Sequence, residues 1–132
     1  SVAMGQLGNS GGQKFWSWYG FESRVEWCAC FASWCAEQSG MVASGQVLKF
    51  SSCAVGASWF QGQGRWKGKG YTPSAGDFIF FDWNKDGQVD HVGIVVNVAN
   101  GRVNTIEGNT SNMVARRSYQ FGGIVIVGYG YI

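Results

Sequence analysis

The chain holds a single histidine and four cysteines, so any thiol and imidazole chemistry must pair His91 with Cys28, Cys30, Cys35 or Cys53. A cysteine attacks a carbonyl as its thiolate, and needs a lowered pKa or an adjacent base to reach that form. Cys28 has the best local context. It lies near the start of a predicted helix, where unpaired backbone N–H groups and the positive end of the dipole stabilise an anion. Ser23 and Glu26 also fit a capping-box spacing, which would start the helix earlier and bury Cys28 one turn inside it. A break near Glu26 is the preferred reading. Cys30 and Cys35 lie deeper among aromatics, where burial raises a thiol's pKa and keeps it inert.

His91 opens the apolar run HVGIVV just after a turn, so its ring is expected to project from a strand start over a cleft. Sixteen residues on stands Glu107. If the segment between them is a hairpin turning at Asn100-Gly101, the two side chains fall roughly opposite and reach the same edge of a sheet. A carboxylate there would accept the Nδ1 proton of His91, fix its tautomer and support the imidazolium beside Cys28.

The other cysteines and acids have their own chemistry to weigh. On one helix Cys28 and Cys35 would be about 10.5 Å apart in rise and cannot bridge, and Cys28 and Cys30 would be turned by about 200°, so no bridge is expected between them. Cys53 could meet Cys35 or Cys30 from a second element, with buried free thiols as the commoner outcome. The cysteine spacings and the lone histidine do not match a zinc ribbon or finger. In DWNKDGQVD, the residues Asp82, Asn84, Asp86, Gly87, Gln88 and Asp90 follow the opening of an EF-hand calcium loop, but its twelfth position is Gly93 where a bidentate Glu belongs. The competing reading is an Asp-Gly hairpin turn with solvated acids. Calcium bound there would shape the cleft beside His91 without entering the chemistry.

The elements that must position these groups divide along the chain. Residues 2–7, 12–20, 26–40 and 51–62 read as helices, with Trp27, Phe31, Trp34 and Cys35 at core spacing and Gly40 as a C-cap. From residue 76 the pattern becomes short β-rich runs, DFIFFDW, HVGIVVNVA, RVNTIEG, MVARRSYQ and IVIVGYGYI, separated by turns. Between them residues 61–76 read as a long polar surface loop. Helices before strands give an α+β class, N-terminal helices packed on a C-terminal antiparallel sheet. The 132 residues form one domain, since neither half alone has enough sequence for a stable core. Ten basic against eight acidic residues leave a net charge of +2, too weak a field to argue for a nucleic-acid or membrane-surface partner. No apolar run approaches the roughly 20 residues that span a bilayer. The opening serine is read as the start of a mature product or of a domain excised from a longer chain.

The runs VEWCACFASWCAEQSG, PSAGDFIFFDWNKDGQVDHVGIVVNV and VNTIEGNTS together resemble the CHAP domain, the cysteine- and histidine-dependent amidohydrolase/peptidase family of peptidoglycan-cleaving enzymes. The resemblance covers nearly the whole chain and implies a papain-like fold. It implies Cys28 as nucleophile, His91 as general base and then acid, Glu107 as the residue orienting the imidazole, and Asn109 as an alternative or assisting partner. The related NlpC/P60 enzymes commonly use a second histidine as third member, which this chain lacks. The backbone N–H of Cys28 is one expected oxyanion donor.

The expectation is a thiol hydrolase that cuts an amide bond in bacterial peptidoglycan, monomeric, outside the cell or in the wall, from a phage lysin or a bacterial enzyme, with no required cofactor. The rival is a non-catalytic glycan- or peptide-binding module using the seven tryptophans. The basic clusters Arg65, Lys67, Lys69 and Arg116-Arg117 are short and read as solvated or wall-facing rather than as a nucleic-acid track.

Overall fold

In the computed structural model, which describes residues 2–132, three helices precede a sheet: α1 (Gln13–Tyr19), α2 (Cys28–Gln38) and α3 (Cys53–Gly62). The first expected helix is only a 3-10 turn at Met4–Gln6. The strands are β1 (Trp66–Gly68), β2 (Phe78–Phe81), β3 (His91–Ala99), β4 (Arg102–Thr110), β5 (Met113–Gln120) and β6 (Ile126–Gly130). They form one six-stranded antiparallel sheet in the order β1-β6-β2-β3-β4-β5. The class is α+β, as the pattern of runs predicts. One correction falls on residues 61–76. That segment is not all loop, because Trp66–Gly68 pairs with β6 and closes one edge of the sheet. Its cations are held by aromatics: the Arg65 guanidinium lies 5.2 Å from the Trp59 ring centre, and Lys67 Nζ lies 5.6 Å from that of Tyr131.

β2 is buried at all four positions because the sheet is covered on both faces. Phe78 and Phe80 meet α2 and α3 through Phe50, Ala57 and Phe60. Ile79 and Phe81 face the other way, into a cluster with Val95, Val103, Ile126 and Tyr129. This alternation is what a strand demands. α2 packs across β3 and β4, and is buried nearly all round, with Ala29, Ala32 and Ala36 fully enclosed. Gly108 of β4 allows the approach: a Cβ there would stand 2.5 Å from Phe31 Cβ and 3.0 Å from Trp27. Any larger residue would lift the helix, and its first residue, off the sheet.

Candidate active site

α2 begins at Cys28, which settles the choice between the two helix starts. Trp27 is the N-cap, with extended-side φ of −111° and no side-chain cap, and its carbonyl accepts the first helical bond from Phe31 N at 2.9 Å. Ser23 and Glu26 form no capping box, since residues 21–27 run outside any helix. Trp27 is pinned by burial, by stacking on Phe15 at 5.7 Å and by its Nε1 donating to Asn112 Oδ1 at 3.2 Å. The helix start is therefore fixed by packing rather than by a capping hydroxyl. The Cys28, Ala29 and Cys30 amides belong to the first turn, where no carbonyl of the same helix can pair them.

His91 is the first residue of β3 and lies 4% exposed, not over an open cleft as expected. The Trp83 ring stacks on it at 4.1 Å and 25°. Glu107 of β4 is fully buried. Its Oε1 accepts from His91 Nε2 at 2.8 Å, so the nitrogen facing the carboxylate is Nε2 and not the expected Nδ1. That leaves Nδ1 as the ring nitrogen available to Cys28, whose thiol the imidazole helps to hold below its ordinary value. Two hydroxyls complete the carboxylate's shell. Thr105 Oγ1 donates to Oε2 at 2.5 Å, and Tyr119 donates to both oxygens at 2.8 and 3.0 Å.

The β3–β4 register explains how these groups meet. Ile94 pairs with Ile106, so Glu107 lies beside Gly93, one rung from the His91 position. Nearer the turn, Asn97 pairs with Asn104 and the register shifts by one residue across Val96. A strand slipped by one residue turns every side chain to the other face. Without that bulge Glu107 would oppose Ile94 and point toward the helices. With it, Glu107 shares the face of His91. Gly93 makes the room, since a Cβ there would stand 2.6 Å from Glu107 Cγ.

The electrostatics follow the contacts. Cys28 is held well below the ordinary thiol value of 9.0, first by the Cys53 thiol and then by His91, against the opposing effect of burial. For His91 burial acts downward, but hydrogen bonds and charge from Cys28 and Glu107 prevail and raise it from 6.5 to about 9. Both shifts favour the thiolate of Cys28 and the imidazolium of His91. Burial lifts Cys30 to about 11 and Cys35 to about 12, in agreement with the inert role expected of them. Cys53 meets neither Cys30 nor Cys35. Its Sγ lies 3.3 Å from that of Cys28, and all four thiols are free.

Asn109 is placed elsewhere. Its Oδ1 accepts from Arg24 at 2.8 Å and its amide donates to Glu26, while Arg24 also donates to Asn112 Oδ1 at 2.9 Å. This network ties the β4–β5 turn to the segment that leads into Trp27. Asn109 thus bears on where α2 starts, and the polar partners of His91 are Cys28 and Glu107.

In the acidic loop the carboxylates bind the loop's own backbone. Asp82 accepts from the Asp86 and Gly87 amides at 3.2 and 2.8 Å, Asn84 Oδ1 from Asp86 N at 3.2 Å, and Asp86 from Gln88 N at 2.9 Å. This wrap suits the opening of a calcium loop. Asp90, however, turns back to accept from the Trp83 amide at 3.0 Å, and Gly93 sits in β3 beneath Glu107. Calcium takes six to eight oxygens. The side chains of Asp82, Asn84, Asp86 and Gln88 with a diverted Asp90 do not complete that shell, and among the described residues no group of three His, Cys, Asp or Glu converges to hold a metal.

Sequence reasoning missed Trp83, Thr105, Tyr119 and Cys53. Thr105 and Glu107 share a strand face at a spacing of two, which was readable, but Tyr119 and Cys53 arrive from elements whose register no local pattern states. An apolar cavity lined by Ala3, Cys35, Ala36, Phe78, Ile94 and Ile106 among others includes none of Cys28, His91 and Glu107.

Cys28 at a helix start, His91 at a strand start and Glu107 on the neighbouring strand thus gather on a helix-and-sheet scaffold. The CHAP domain model matches residues 18–109, and the chain belongs to that family. Among solved structures it is similar to Ly7917, in a crystal structure with the hydrolyzing product of MDP (TM-score 0.60, 20% identity, covering 97% of this chain and 58% of that one). A second Ly7917 crystal structure gives a TM-score of 0.59 at 18% identity with the same coverage. The chain thus spans 58% of the length of that neighbour. No curated protein matches it in sequence. At this identity the neighbours show the fold.

Proposed function

We propose that the chain is a cysteine hydrolase of bacterial peptidoglycan that cleaves an amide bond, either between muramic acid and the stem peptide or within the stem or cross-bridge. The observation that carries this reading is the continuous line Cys28, His91, Glu107 at the N-terminus of α2. The thiolate attacks the amide carbonyl carbon. The Cys28 backbone N–H, unpaired within the helix, faces the charge that develops on oxygen. Imidazolium Nδ1 then gives its proton to the leaving amine, the C–N bond breaks and a thioester remains. Neutral His91 next takes a proton from water, which attacks the thioester and releases the acid and the thiolate. Glu107, held by Thr105 and Tyr119, stabilises the imidazolium throughout. Every proton and every charge in this cycle is carried by the chain's own residues, with no cofactor required.

The family and the likeness to a neighbour crystallised with the hydrolyzing product of MDP support the substrate class. We place the activity outside the cell or in the wall, in a phage lysin or a bacterial enzyme, acting as a monomer. The tryptophans offer the binding-module reading no shared platform: Trp27 is fully buried, Trp83 covers His91, and Trp18, Trp34 and Trp59 are capped by Lys49, Lys14 and Arg65. The test is mass spectrometry of purified peptidoglycan after digestion, where new amino termini identify the bond. Cys28→Ala should release none while melting as a folded protein. Wild-type release by folded Cys28→Ala would overturn Cys28 as the nucleophile, and no release by the wild-type protein would overturn the enzyme reading.

A further inference from the structure

α2 and α3 each begin with a cysteine, and the fold brings those two first residues together, with Cys28 Sγ and Cys53 Sγ 3.3 Å apart and both buried. The contact is polar, because a sulfur pair at that separation shares one proton. The surroundings decide which sulfur keeps it. The Cys28 sulfur is also approached by the His91 imidazole and the Val92 backbone N–H, both donors. The charges that act on Cys53 are those of Cys28, Asp90 and Cys30, which all oppose a second anion. Ser52 caps α3 by accepting from Val55 N at 3.3 Å, so Cys53 is held at the first helical position and cannot swing away without breaking that start.

We propose that Cys53 is a positioning residue for the nucleophile: its S–H donates to the Cys28 sulfur and holds it charged and aimed. This rests on the assignment of Cys28 as nucleophile. A thiolate with two side-chain donors, imidazolium and thiol, has its lone pairs directed, and only one of the two protons is delivered in the reaction. Cys53 keeps its own proton throughout, being lifted far above the ordinary thiol value first by its bond to Cys28 and then by burial. It acts on the ground state and on the orientation of attack, not as an acid.

The experiment reads Cys28 directly and without substrate. Alkylation by iodoacetamide is followed site by site with mass spectrometry from pH 4 to 10, in wild type, Cys53→Ala and Cys53→Ser. The expected result is an acid limb for Cys28 that moves up by at least about one pH unit in Cys53→Ala, a tenfold loss of thiolate on that limb, and is largely restored in Cys53→Ser, whose hydroxyl can donate. Turnover at pH 6 should follow the same order. A core-packing role predicts the reverse, with Ser the worse residue for stability and the Cys28 limb unmoved in all three proteins. That result would overturn the proposal. Should Cys53→Ala not fold, Cys53→Val removes the donor while keeping the volume and is read in the same way. Failure of the reading it rests on would look different, since the wild-type protein would then release no new amino termini, or Cys28→Ala would release as many as wild type, whatever the alkylation limb does.

Discussion

Glu107→Gln separates orientation from charge at the centre of the site. Glutamine has the shape of glutamate, so the question is which way its amide turns. Oε1 accepts from His91 and Tyr119, and Oε2 from Thr105 and Tyr119. With the amide oxygen toward His91, the NH₂ faces two hydroxyls, and a hydroxyl can rotate to accept. The His91 bond and its tautomer therefore survive, and only the negative charge is lost. A hydrogen bond to a charged group is worth about 1.5–3 kcal/mol, which at about 1.4 kcal/mol per decade is roughly a 10- to 150-fold loss in turnover. A wrong tautomer would cost about 10⁴, and the rotating hydroxyls are what avoid it. Turbidity clearing of a purified wall suspension, with melting temperature as the fold control, measures the loss. Folded Glu107→Gln within about twofold of wild type would refute the reasoning, as would an equal loss in Asn109→Ala, which removes no partner of His91.

Gly93→Ala, which alters neither His91 nor Glu107, should drive the Glu107 side chain from its place, since the new Cβ would stand 2.6 Å from Cγ; we expect about 1–3 kcal/mol of destabilisation with a loss of turnover like that of Glu107→Gln, and wild-type turnover would count against the assigned geometry. In denaturant unfolding across pH the raised His91 loses its contribution as pH rises from about 6.5 to about 9 while the depressed Cys28 gains its own, so the two slopes oppose each other in that window. Toward acid pH stability should fall as Cys28 is protonated, and at alkaline pH it should fall because the raised Cys30, Cys35 and Cys53 thiols oppose ionisation; a full one-proton fall in stability through the middle window would exclude the thiolate and imidazolium pair. Melting curves in EDTA and in free calcium titrated to a few millimolar should coincide, a range that reaches the affinity of about 10⁻⁴ to 10⁻³ M typical of extracellular modules, and a rise in melting temperature with calcium over that range would restore it as a ligand.

The order of elements was legible because helical spacing and β-rich runs occupy separate halves, and so were the nucleophile's place at a helix start and the meeting of His91 with Glu107. What was not legible was set at a distance. The start of α2 depends on Trp27, which is fixed by Phe15 and by a turn 85 residues away. β1 has only three residues, among glycines and lysines, and it exists because β6 offers an edge to pair with. The choice of Nε2 over Nδ1 depends on where the ring lies relative to two partners from different elements. The bulge at Val96 has no local signature in a run of valines, yet it decides which face Glu107 takes.

That bulge and Trp83 act on the same bond from opposite ends. The bulge sets Glu107 on the face of His91, where Thr105 and Tyr119 fill its remaining acceptor capacity. Trp83 lies over the ring at 4.1 Å, and Phe81 flanks it at 5.8 Å. The bond from Nε2 to the carboxylate is thereby kept from water, and a charge-assisted bond in such surroundings is stronger than the same pair in solvent. Trp83 is itself placed by the acidic loop, its amide donating to both oxygens of Asp90. In the proposed reaction the loop acts through a carboxylate that holds the backbone of a tryptophan, a role for Asp90 that calls for no metal. Loss of that carboxylate should loosen the shield over the imidazolium rather than the fold, since the loop is exposed and the residues beneath it remain packed.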